Sequence, residues 1–439
     1  MSKASLRRPR GTRDFLPWDM IKRRYVIETI RSVFELYGFD EIETPAFEFL
    51  EVLTAKCGPD VKEQIYAFKD KAGRDLGLRF DLTVPLARIV ASNPNLPKPF
   101  KRYCISRVWR YEEPQSGRFR EFWQADADIV GSSKMDSDAE VIAVAISCLK
   151  KLGMKNFKVR LNNRKILESI ASSADVDKEL SLSVFRAIDK LDKIGHEGVK
   201  HELKKLGLTD LQILTIMDQI SKSGNIDVIE KEISNMLTAE GREGINELAE
   251  IISNLELYGY SSYVVVDLSL ARGLDYYTGP IFEVSAETTI NVGSVAGGGR
   301  YDNLIELLGG PPTPATGISL GVDRIVEVLD EACMLPSIKT LTQVFVAYVN
   351  QSVKSEALRT AERLRAEGLK VEVDLMGRKL DRQLKYADAK GIPYAVIVGP
   401  EELKLGVYKL RDMRNRKEQT LNLQELIRTL KLSAYSLSQ

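Results

Sequence analysis

Three strand-like stretches follow one another between residues 76 and 131, and they limit the fold more than any other feature of the chain. They read LGLRFDLTVP, FKRYCISRVWRYE and REFWQADADIVG. Strands that are near neighbours in sequence pair most readily as antiparallel neighbours, whereas parallel pairs need a long crossover connection. With the helical pattern that precedes them, they predict an α+β domain with an antiparallel sheet flanked by helices, rather than a doubly wound nucleotide-binding fold.

A helical segment interrupts this strand pattern. Between about residues 166 and 260 the apolar residues recur at helical spacing, as in GINELAEIISNLELYG, and strands resume at Tyr263. Beyond the linker LDEACMLPSIKTLTQ, the stretches VFVAYV, KVEVDL and YAVIVG alternate with helices, and a hairpin of VYKLRD and QTLNL follows. This order predicts a small α/β domain with a largely parallel sheet. The predicted division is 1–165 with 261–330 for the sheet domain, 166–260 for a helical insertion, 331–340 for the linker and 341–439 for the α/β domain.

Composition narrows the class of protein. The chain has 439 residues, of which 44% are hydrophobic and 28% charged, and no run of 18 apolar residues predicts a membrane span. The basic N-terminus lacks the apolar core of a signal peptide. Four scattered cysteines favour a reducing cytoplasm over a disulfide or zinc framework. They are Cys57, Cys104, Cys148 and Cys333.

The charge of the C-terminal part differs from that of the rest. Residues 341–430 contain 17 Lys and Arg against 12 Asp and Glu. This excess favours a polyanionic partner for that domain, although an ordinary solvated surface is an equally good interpretation. The two histidines, His196 and His201, both lie in a Lys- and Leu-rich helical stretch, so a histidine general base is not expected.

The stretch RFREFWQADADIV has one polar face. In an extended strand this face carries Arg118, Arg120, Phe122, Gln124, Asp126 and Asp128. The alternating residues on the other face are mostly apolar and belong to a core. A solvated sheet face is the ordinary interpretation of such a pattern, but the order from cationic to anionic favours the floor of a site for a charged or zwitterionic ligand.

Other stretches add candidate residues. Arg110 lies on the stem of a predicted hairpin, and RFDLTVP is expected to place Asp81 and Thr83 on one face of a strand. ARGLDYYTGPIFEV is expected to form a tight turn between two core strands, bracketed by Gly273 and Gly279. The glycines of SVAGGGRYD allow a ligand close to the backbone, although any tight turn could also require them. ATGISLGVDRI predicts a strand that leads into a helix.

Together these stretches resemble the class II aminoacyl-tRNA synthetases, and specifically the histidyl-tRNA synthetase family, over nearly the whole chain. GFDEIETPAFE is similar to motif 1, FKRYCISRVWRYEEPQSGRFREFWQADADIVG to motif 2 and TGISLGVDRI to motif 3. ARGLDYYTGPIFEV and AGGGRYD are similar to the two segments peculiar to the histidine enzymes. Asp128, where many bacterial members have Glu, resembles the archaeal and eukaryotic branch.

The resemblance implies a cytoplasmic homodimer that forms histidyl-adenylate from histidine and ATP with Mg²⁺, and then charges tRNA(His). The histidine carboxylate is already ionised, so the first step needs positioning and charge neutralisation rather than a general base. The implied catalytic residues are Arg110 and Arg272, which contact the α-phosphate. The other implied ATP contacts are Glu112, Arg118 at the outer phosphates and Arg324 on the adenine.

The resemblance also implies a histidine pocket. Arg272 would contact the substrate carboxylate. The implied contacts are Asp81, Thr83 and Gln124 for the ammonium group, Asp128 and Tyr277 for the imidazole, and Tyr276, Gly298 and Tyr301 as the pocket lining. The alternative is a catalytically inactive, synthetase-like regulatory or binding protein. A class II synthetase for another amino acid is disfavoured by the two histidine-type segments.

Overall fold

The structure, a computed structural model, describes residues 6–55, 59–115, 117–272, 276–288, 290 and 292–436. Cys57 and the residues 273–275 of the ARGLDYYTGPIFEV segment, Gly273 among them, lie outside the described residues. The chain forms two compact units. The first comprises the described residues up to Leu335, except for Phe15–Lys22, and the second comprises Phe15–Lys22 and the chain from Pro336 onwards.

The first part of the chain supplies a long helix, the short strands around it and a β-hairpin. The elements are α1 (Pro17–Leu36), β1 (Asp40–Glu41), β2 (Phe47–Phe49), α2 (Leu50–Thr54), α3 (Pro59–Gln64), β3 (Ala67–Lys69), β4 (Asp75–Leu78), α4 (Thr83–Ser92), β5 (Phe100–Trp109), β6 (Glu121–Val130), α5 (Met135–Lys151) and β7 (Phe157–Asn163). Helix α5 is apolar on nearly all sides and is almost wholly buried, as expected of a core helix packed against a sheet.

A mostly helical stretch follows, and then the remaining strands of the sheet. The helical stretch contains α6 (Arg164–Ser173), α7 (Lys178–Ile188), α8 (Leu191–Lys205), α9 (Asp210–Ile220), β8 (Ser223–Gly224), α10 (Ile226–Ile233) and α11 (Ala239–Leu257). The sheet then resumes with β9 (Val264–Asp267), β10 (Pro280–Ala286), β11 (Ala296–Arg300), α12 (Leu304–Leu307), β12 (Ala315–Gly321) and α13 (Val322–Glu331).

Nine strands of the described chain form one sheet in the order β1-β5-β6-β12-β11-β10-β7-β9-β8. The strands from β5 to β7 pair antiparallel throughout, while β1–β5 and β7–β9 are parallel. Strands β2, β4 and β3 form a small separate sheet. This arrangement confirms the predicted α+β fold with an antiparallel sheet flanked by helices.

The helical stretch is inserted within the sheet, as predicted, because β7 before it pairs with β9 after it, with Val159 opposite Val264. Its first and last helices belong to the core of the sheet: Ile166 of α6 and Leu248 of α11 are fully buried in that core. The helices α7 to α9 instead contribute to a second apolar cluster, through residues such as Phe185. The helical stretch is therefore only partly separate from the sheet.

The connection between β9 and β10 is not the tight turn that the sequence predicted. The two strands flank β7 on opposite sides, so they do not form a hairpin with one another. Asn162, near the end of β7, holds this connection: its Nδ2 donates to the carbonyl oxygens of Leu268, at 3.2 Å, and Leu270, at 2.9 Å. The pairing partners of β7 could not be read from local sequence.

The C-terminal part of the second unit confirms the predicted α/β pattern. Its elements are β13 (Val344–Tyr348), α14 (Lys354–Ala366), β14 (Val371–Val373), α15 (Leu380–Lys390), β15 (Tyr394–Val398), α16 (Pro400–Lys404), β16 (Val407–Asp412), β17 (Glu418–Asn422) and α17 (Leu423–Ser436). The sheet order is β14-β13-β15-β16-β17, with β13 parallel to both neighbours and the β16–β17 hairpin antiparallel. Among the described helices of the whole chain, none combines the length and the apolar character that a membrane crossing requires.

Candidate active site

A cavity of about 1130 Å³ opens on one face of the nine-stranded sheet, within the first unit. Every residue to which the family resemblance assigned a role in binding or catalysis lines it. These residues are Asp81, Thr83, Arg110, Glu112, Arg118, Gln124, Asp128, Arg272, Tyr276, Tyr277, Gly298, Tyr301 and Arg324. Residues that are spread over more than 240 positions of sequence are therefore brought to one place by the sheet.

The register of the sheet determines the floor of the cavity. Residues directly opposite one another on neighbouring strands project to the same face. One such row runs across β5, β6, β12, β11, β10 and β7, and consists of Cys104, Asp126, Ser319, Gly297, Glu283 and Arg160. The polar face predicted for β6 is thus a buried, ligand-sized floor and not a solvated sheet face, since Gln124 is 9% exposed and Asp126 and Asp128 are each 2% exposed.

Glycines on this floor leave room for side chains above them. A Cβ atom at Gly297 would lie 2.6 Å from Nη2 of Arg272, and one at Gly299 would lie 2.8 Å from Cδ1 of Tyr277. A Cβ atom at Gly317 would overlap Oδ1 of Asp128. The glycine run therefore forms a strand, β11, and not the turn considered from sequence, and its missing side chains make space for the protein's own arginine and tyrosine.

The acidic end of the cavity is centred on Asp128. Its Oδ1 accepts a hydrogen bond from the Tyr301 hydroxyl, and its Oδ2 lies 2.7 Å from Nη2 of Arg102, which is completely buried. Burial raises the pKa of Asp128, while Arg102 opposes that shift. Burial also raises the pKa of Asp126 to about 7. An unpaired buried charge is costly, so Arg102 is what allows a carboxylate to persist here.

Asp81 and Thr83 reach the cavity from a helix start and not from the strand that the sequence predicted. Strand β4 ends at Leu78, and Thr83 is the first residue of α4. Oδ1 of Asp81 accepts from the backbone N–H groups of Thr83, at 3.1 Å, and Val84, at 2.9 Å. The carboxylate therefore caps the helix, and Pro85 in the first turn is compatible with that geometry. The hydroxyl of Thr83 is in turn hydrogen-bonded to Tyr276.

The basic end of the cavity contains Arg110, Arg118 and Arg324. The guanidinium of Arg110 lies 4.3 Å from the ring centre of Phe80 and 5.2 Å from that of Phe122, and its Nε donates to the carbonyl oxygen of Phe80. Such cation–π contacts fix a guanidinium while leaving its charge uncompensated. Burial, followed by repulsion from Arg118 and Arg110, lowers the pKa of Arg324 to about 10. The three cations therefore create a strongly positive end that favours an anion.

Two carbonyl groups orient Arg324. Its Nε donates to the carbonyl oxygen of Gly117 at 3.0 Å, and its Nη1 donates to that of Ser294 at 2.7 Å. Nη1 of Arg118 lies 3.7 Å from Oε2 of Glu112, so a carboxylate lies beside the arginines of the basic end. The predicted strand-to-helix transition at Gly321 is confirmed, and it places Arg324 on the first turn of α13.

Arg272 lies on the floor, within the connection that follows β9. Its Nη1 donates to Oε2 of Glu283 at 2.8 Å, and it is hydrogen-bonded to Tyr277. Its backbone has a φ of 54°, in the left-handed region that a non-glycine residue adopts at a cost of about 1 kcal/mol. The corner between α7 and α8, with Asp189, lines the same part of the cavity. The charge of Asp189 adds to the field that stabilises the Arg272 cation.

Several contributors were not found from sequence. Arg102 was passed over as part of a strand, yet it is the cross-strand partner of Asp128. Ser319 accepts from Nε2 of Gln124 at 2.5 Å and lies opposite Asp126. Glu283 holds Arg272. An alignment of β5 with β6 as a hairpin would have revealed the Arg102–Asp128 pair, because opposite charges tend to occupy facing positions. The contact between Glu283 and Arg272 could be predicted only if the order of all strands in the sheet were known.

The chain is similar to known proteins over its whole length. Residues 11–325 match the family model described as histidyl-tRNA synthetase, and residues 343–432 match the model of an anticodon binding domain. A protein of Pyrococcus furiosus named histidine–tRNA ligase is 40% identical over 97% of this chain and 99% of its own length. One of Aeropyrum pernix with the same name is 44% identical over 92% and 93%. These archaeal relatives agree with the branch that Asp128 indicated.

The fold is shared with a solved structure. The crystal structure of histidyl-tRNA synthetase from Nostoc sp. PCC 7120 superposes with a TM-score of 0.83 at 32% sequence identity, covering 98% of this chain and 100% of that chain.

Proposed function

The chain belongs to the histidyl-tRNA synthetase family, and from this premise we propose how its cavity activates histidine with ATP and transfers it to tRNA(His). The observation that supports this most strongly is the polarity of this cavity, which has buried carboxylates at one end and three arginines at the other. Arg110 interacts electrostatically with Asp81 and also with Arg272 and Arg324. A zwitterionic amino acid and a polyphosphate fit such a cavity end to end.

Adenylate formation needs little proton transfer. An oxygen of the histidine carboxylate attacks the α-phosphorus of ATP, the bond to the β-phosphate oxygen breaks, and pyrophosphate leaves. Charge accumulates on the α-phosphate oxygens in the transition state, so cations aimed at that point accelerate the step. We assign this role to Arg110 and Arg272. Arg110 is held between two aromatic rings and Arg272 by Glu283, so both are positioned before the reaction begins.

The rest of the ATP lies at the basic end in this proposal. Arg118 contacts the outer phosphates. Arg324 stacks on the adenine. Its hydrogen bonds to two carbonyl groups fix the plane of the guanidinium, and a fixed plane is what stacking on a base requires. Both roles follow from the family resemblance together with these positions.

Class II aminoacyl-tRNA synthetases use ATP with a divalent metal ion, and we propose Mg²⁺ here. In the described part of the chain no three His, Cys, Asp or Glu side chains cluster to hold a metal. Mg²⁺ often binds through one or two carboxylates together with substrate phosphates, and Glu112 beside Arg118 fits that donor set. When bound, the ion would neutralise phosphate charge.

The histidine lies at the acidic end. Its ammonium group is placed near Asp81, Thr83 and Gln124, which offer acceptor oxygens. Its imidazole lies at the end of the cavity formed by Asp128 and Tyr277. The rings of Tyr276 and Tyr301 close the pocket, and Gly298 adds to its lining: the Tyr276 ring centre lies 5.0 Å from that of Tyr277 and 6.0 Å from that of Tyr301. These edge-on contacts make an aromatic wall against which a planar five-membered ring can pack.

The remaining assignments concern the assembly and the tRNA. We propose that the histidyl group passes to the 3′-hydroxyl of the terminal adenosine, and that the basic C-terminal domain binds the tRNA anticodon. We propose a homodimer paired through the motif 1 segment, GFDEIETPAFE. We propose a cytoplasmic location, in agreement with the unpaired thiols of Cys104, Cys148 and Cys333. We also propose the division 1–165 with 261–330, 166–260, 331–340 and 341–439 as domains.

Charging of tRNA tests this function as a whole. The protein is incubated with ATP, Mg²⁺, labelled histidine and tRNA(His), and the label that precipitates with the tRNA is counted. We expect alkali-labile label in the tRNA and one AMP for each histidine transferred. A parallel reaction with a tRNA for another amino acid serves as the control and should remain uncharged. Absence of label with tRNA(His), from protein that is folded by circular dichroism, would overturn the proposal.

A further inference from the structure

One buried carboxylate of the cavity has no role in the proposed function. Asp126 lies on the floor between Gln124 and Asp128, and it is 2% exposed. Its Oδ1 is buried and has no hydrogen-bond partner among the described residues. Asp128 accepts a hydrogen bond from Tyr301 at Oδ1, and its Oδ2 forms an ion pair with Arg102 at 2.7 Å but likewise has no hydrogen-bond partner among the described residues. Leaving a buried acceptor unpaired is costly, so a donor from a ligand would complete this site.

The charges around Asp126 are also incomplete. Asp126 and Asp128 are two carboxylates, and the buried cation beside both of them is Arg102. With both carboxylates ionised, these three groups carry one negative charge in excess. The buried Arg79 also acts on Asp126, but its hydrogen bonds go to Thr44, Ser106 and Arg107. In the proposed function the α-ammonium group of the substrate lies near Asp81, Thr83 and Gln124, where its charge compensates the carboxylate of Asp81. The ring of the substrate lies at the Asp128–Tyr277 end, next to Asp126.

We propose that Asp126 accepts a hydrogen bond from the ring of the bound histidine, and that the ring is bound as the doubly protonated imidazolium. This inference rests on the proposed function and specifies the charge state of its substrate. A neutral imidazole has one N–H donor, whereas an imidazolium has two. One N–H is donated to Oδ1 of Asp126, and the other faces the Asp128–Tyr277 group. Asp126 is then a specificity-determining residue, because an uncharged ring of the same shape would leave its charge unpaired.

The proton comes from solvent at alkaline pH. The titratable and polar groups around Asp126 are Arg102 and Cys104 on β5, Asp128 on β6, Ser319 on β12, Asp81 before α4, Arg79 after β4 and Tyr301 after β11. Burial raises the pKa of Asp126 to about 7, Arg102 and Ser319 lower it, and Asp128 and Asp81 raise it. The ordinary pKa of a histidine ring is about 6.5. At pH 8 both partners are therefore largely unprotonated before they meet, and the complex must take up a proton.

Calorimetry measures this proton directly. Histidine is titrated into the full-length protein at pH 8 in two buffers with different ionisation enthalpies, and the difference in heat gives the number of protons taken up. We expect about one proton for the wild type and much less for Asp126→Asn, because only Asp126 provides the unpaired charge. We also expect the histidine Kd of the variant to rise by about tenfold or more. Binding by the wild type without proton uptake, or unchanged uptake by the variant, would overturn the inference.

A substrate analogue keeps the test decisive if Asp126→Asn folds poorly. The probe is 1,2,4-triazolyl-alanine, whose ring has the shape of imidazole but is far less basic. We expect the wild type to bind it at least about tenfold more weakly than histidine and without proton uptake. Binding as tight as that of histidine would contradict the inference. If the wild type binds no histidine at all, the proposed function itself fails; if it binds histidine with no proton uptake, only the charge state assigned here fails.

Discussion

Nη1 of Arg272 donates to Oε2 of Glu283 across 2.8 Å, and both residues lie on the cavity floor next to Gly297. The other oxygen of Glu283 is 3.7 Å from Nη1 of Arg160, so the carboxylate is held between two guanidinium groups. Arg272 is therefore oriented before any substrate arrives. Orientation in advance is what an electrostatic catalyst requires, since no energy is then spent on reorganisation during the reaction.

We predict that Glu283→Gln lowers the kcat of adenylate formation by about tenfold or more and changes the histidine KM little. The amide keeps the size of the side chain but loses the charge that orients Arg272. Steady-state ATP–pyrophosphate exchange measures both constants. Glu287→Gln is the matched control, because Glu287 is exposed just beyond the same strand, and it should behave as the wild type. Equal kcat values for the two variants would show that Glu283 does not position Arg272.

Arg272→Ala should lower kcat far more than it raises the histidine KM. The charge that Arg272 faces grows in the transition state, so its removal loses about 3–4 kcal/mol of stabilisation there, by comparison with oxyanion-hole donors. Arg272→Lys should recover only part of the loss, because it keeps the charge but not the planar pair of donors. Near-normal kcat in the alanine variant would mean that Arg272 serves only to hold the connection between β9 and β10.

The pH dependence of stability should differ between the wild type and Asp126→Asn in the absence of ligands. The pKa of Asp126 is raised to about 7 in the folded protein, so its contribution to stability is present at low pH and is lost as pH rises to 7. Between pH 5 and 7 the free energy of unfolding of the variant should therefore increase, relative to that of the wild type, by roughly 1.4 kcal/mol per pH unit. Urea unfolding at pH 5, 6, 7 and 8 measures this difference. A difference that does not vary with pH would show that Asp126 is not the titrating group.

Asp128→Asn should impair both stability and histidine recognition. Removing the carboxylate leaves Arg102 buried without its counter-ion, and breaking a buried pair costs about 3–5 kcal/mol. The histidine KM should rise by more than about tenfold, with little change in the ATP KM. Asp138→Asn is a control for stability alone: it breaks the buried pair with Arg300 outside the cavity, so it should lower the Tm and spare the histidine KM. Similar KM values for both variants would remove Asp128 from the recognition site.

The parts of the fold with strong local patterns were predictable. The alternation of polar and apolar residues along β6 predicted a polar face, and the structure places that face on the cavity floor. The transition from β12 to α13 was also correct, because an apolar strand followed by a helical repeat is a local signal. Parallel strands of the C-terminal domain were recognised in the same way. In each case the pattern that predicts the structure is contained in one or two neighbouring helices or strands.

Two features of the site differ from what the sequence indicated. The first is local, and the second concerns contacts between distant segments. Thr83 was predicted to lie on a strand because polar and apolar residues alternate along LGLRFDLTVP. In the structure a helix starts there instead, with Asp81 capping it and Pro85 in its first turn. The glycines of β11 were expected to allow a ligand close to the backbone, with a tight turn as the alternative, whereas the structure places Arg272 and Tyr277 above them. No local pattern identifies such partners, so these supporting contacts could not be predicted from the sequence.

The measurement that tests the central claim most directly is ATP–pyrophosphate exchange with Mg²⁺ in the presence of each of the twenty amino acids in turn. The acidic pocket beside Arg272 and the three arginines of the basic end predicts exchange with histidine alone, and none without an amino acid. Exchange with threonine, proline or glycine would contradict the assignment of the pocket. No exchange with any amino acid, from folded protein that still binds ATP, would instead favour a catalytically inactive regulatory protein.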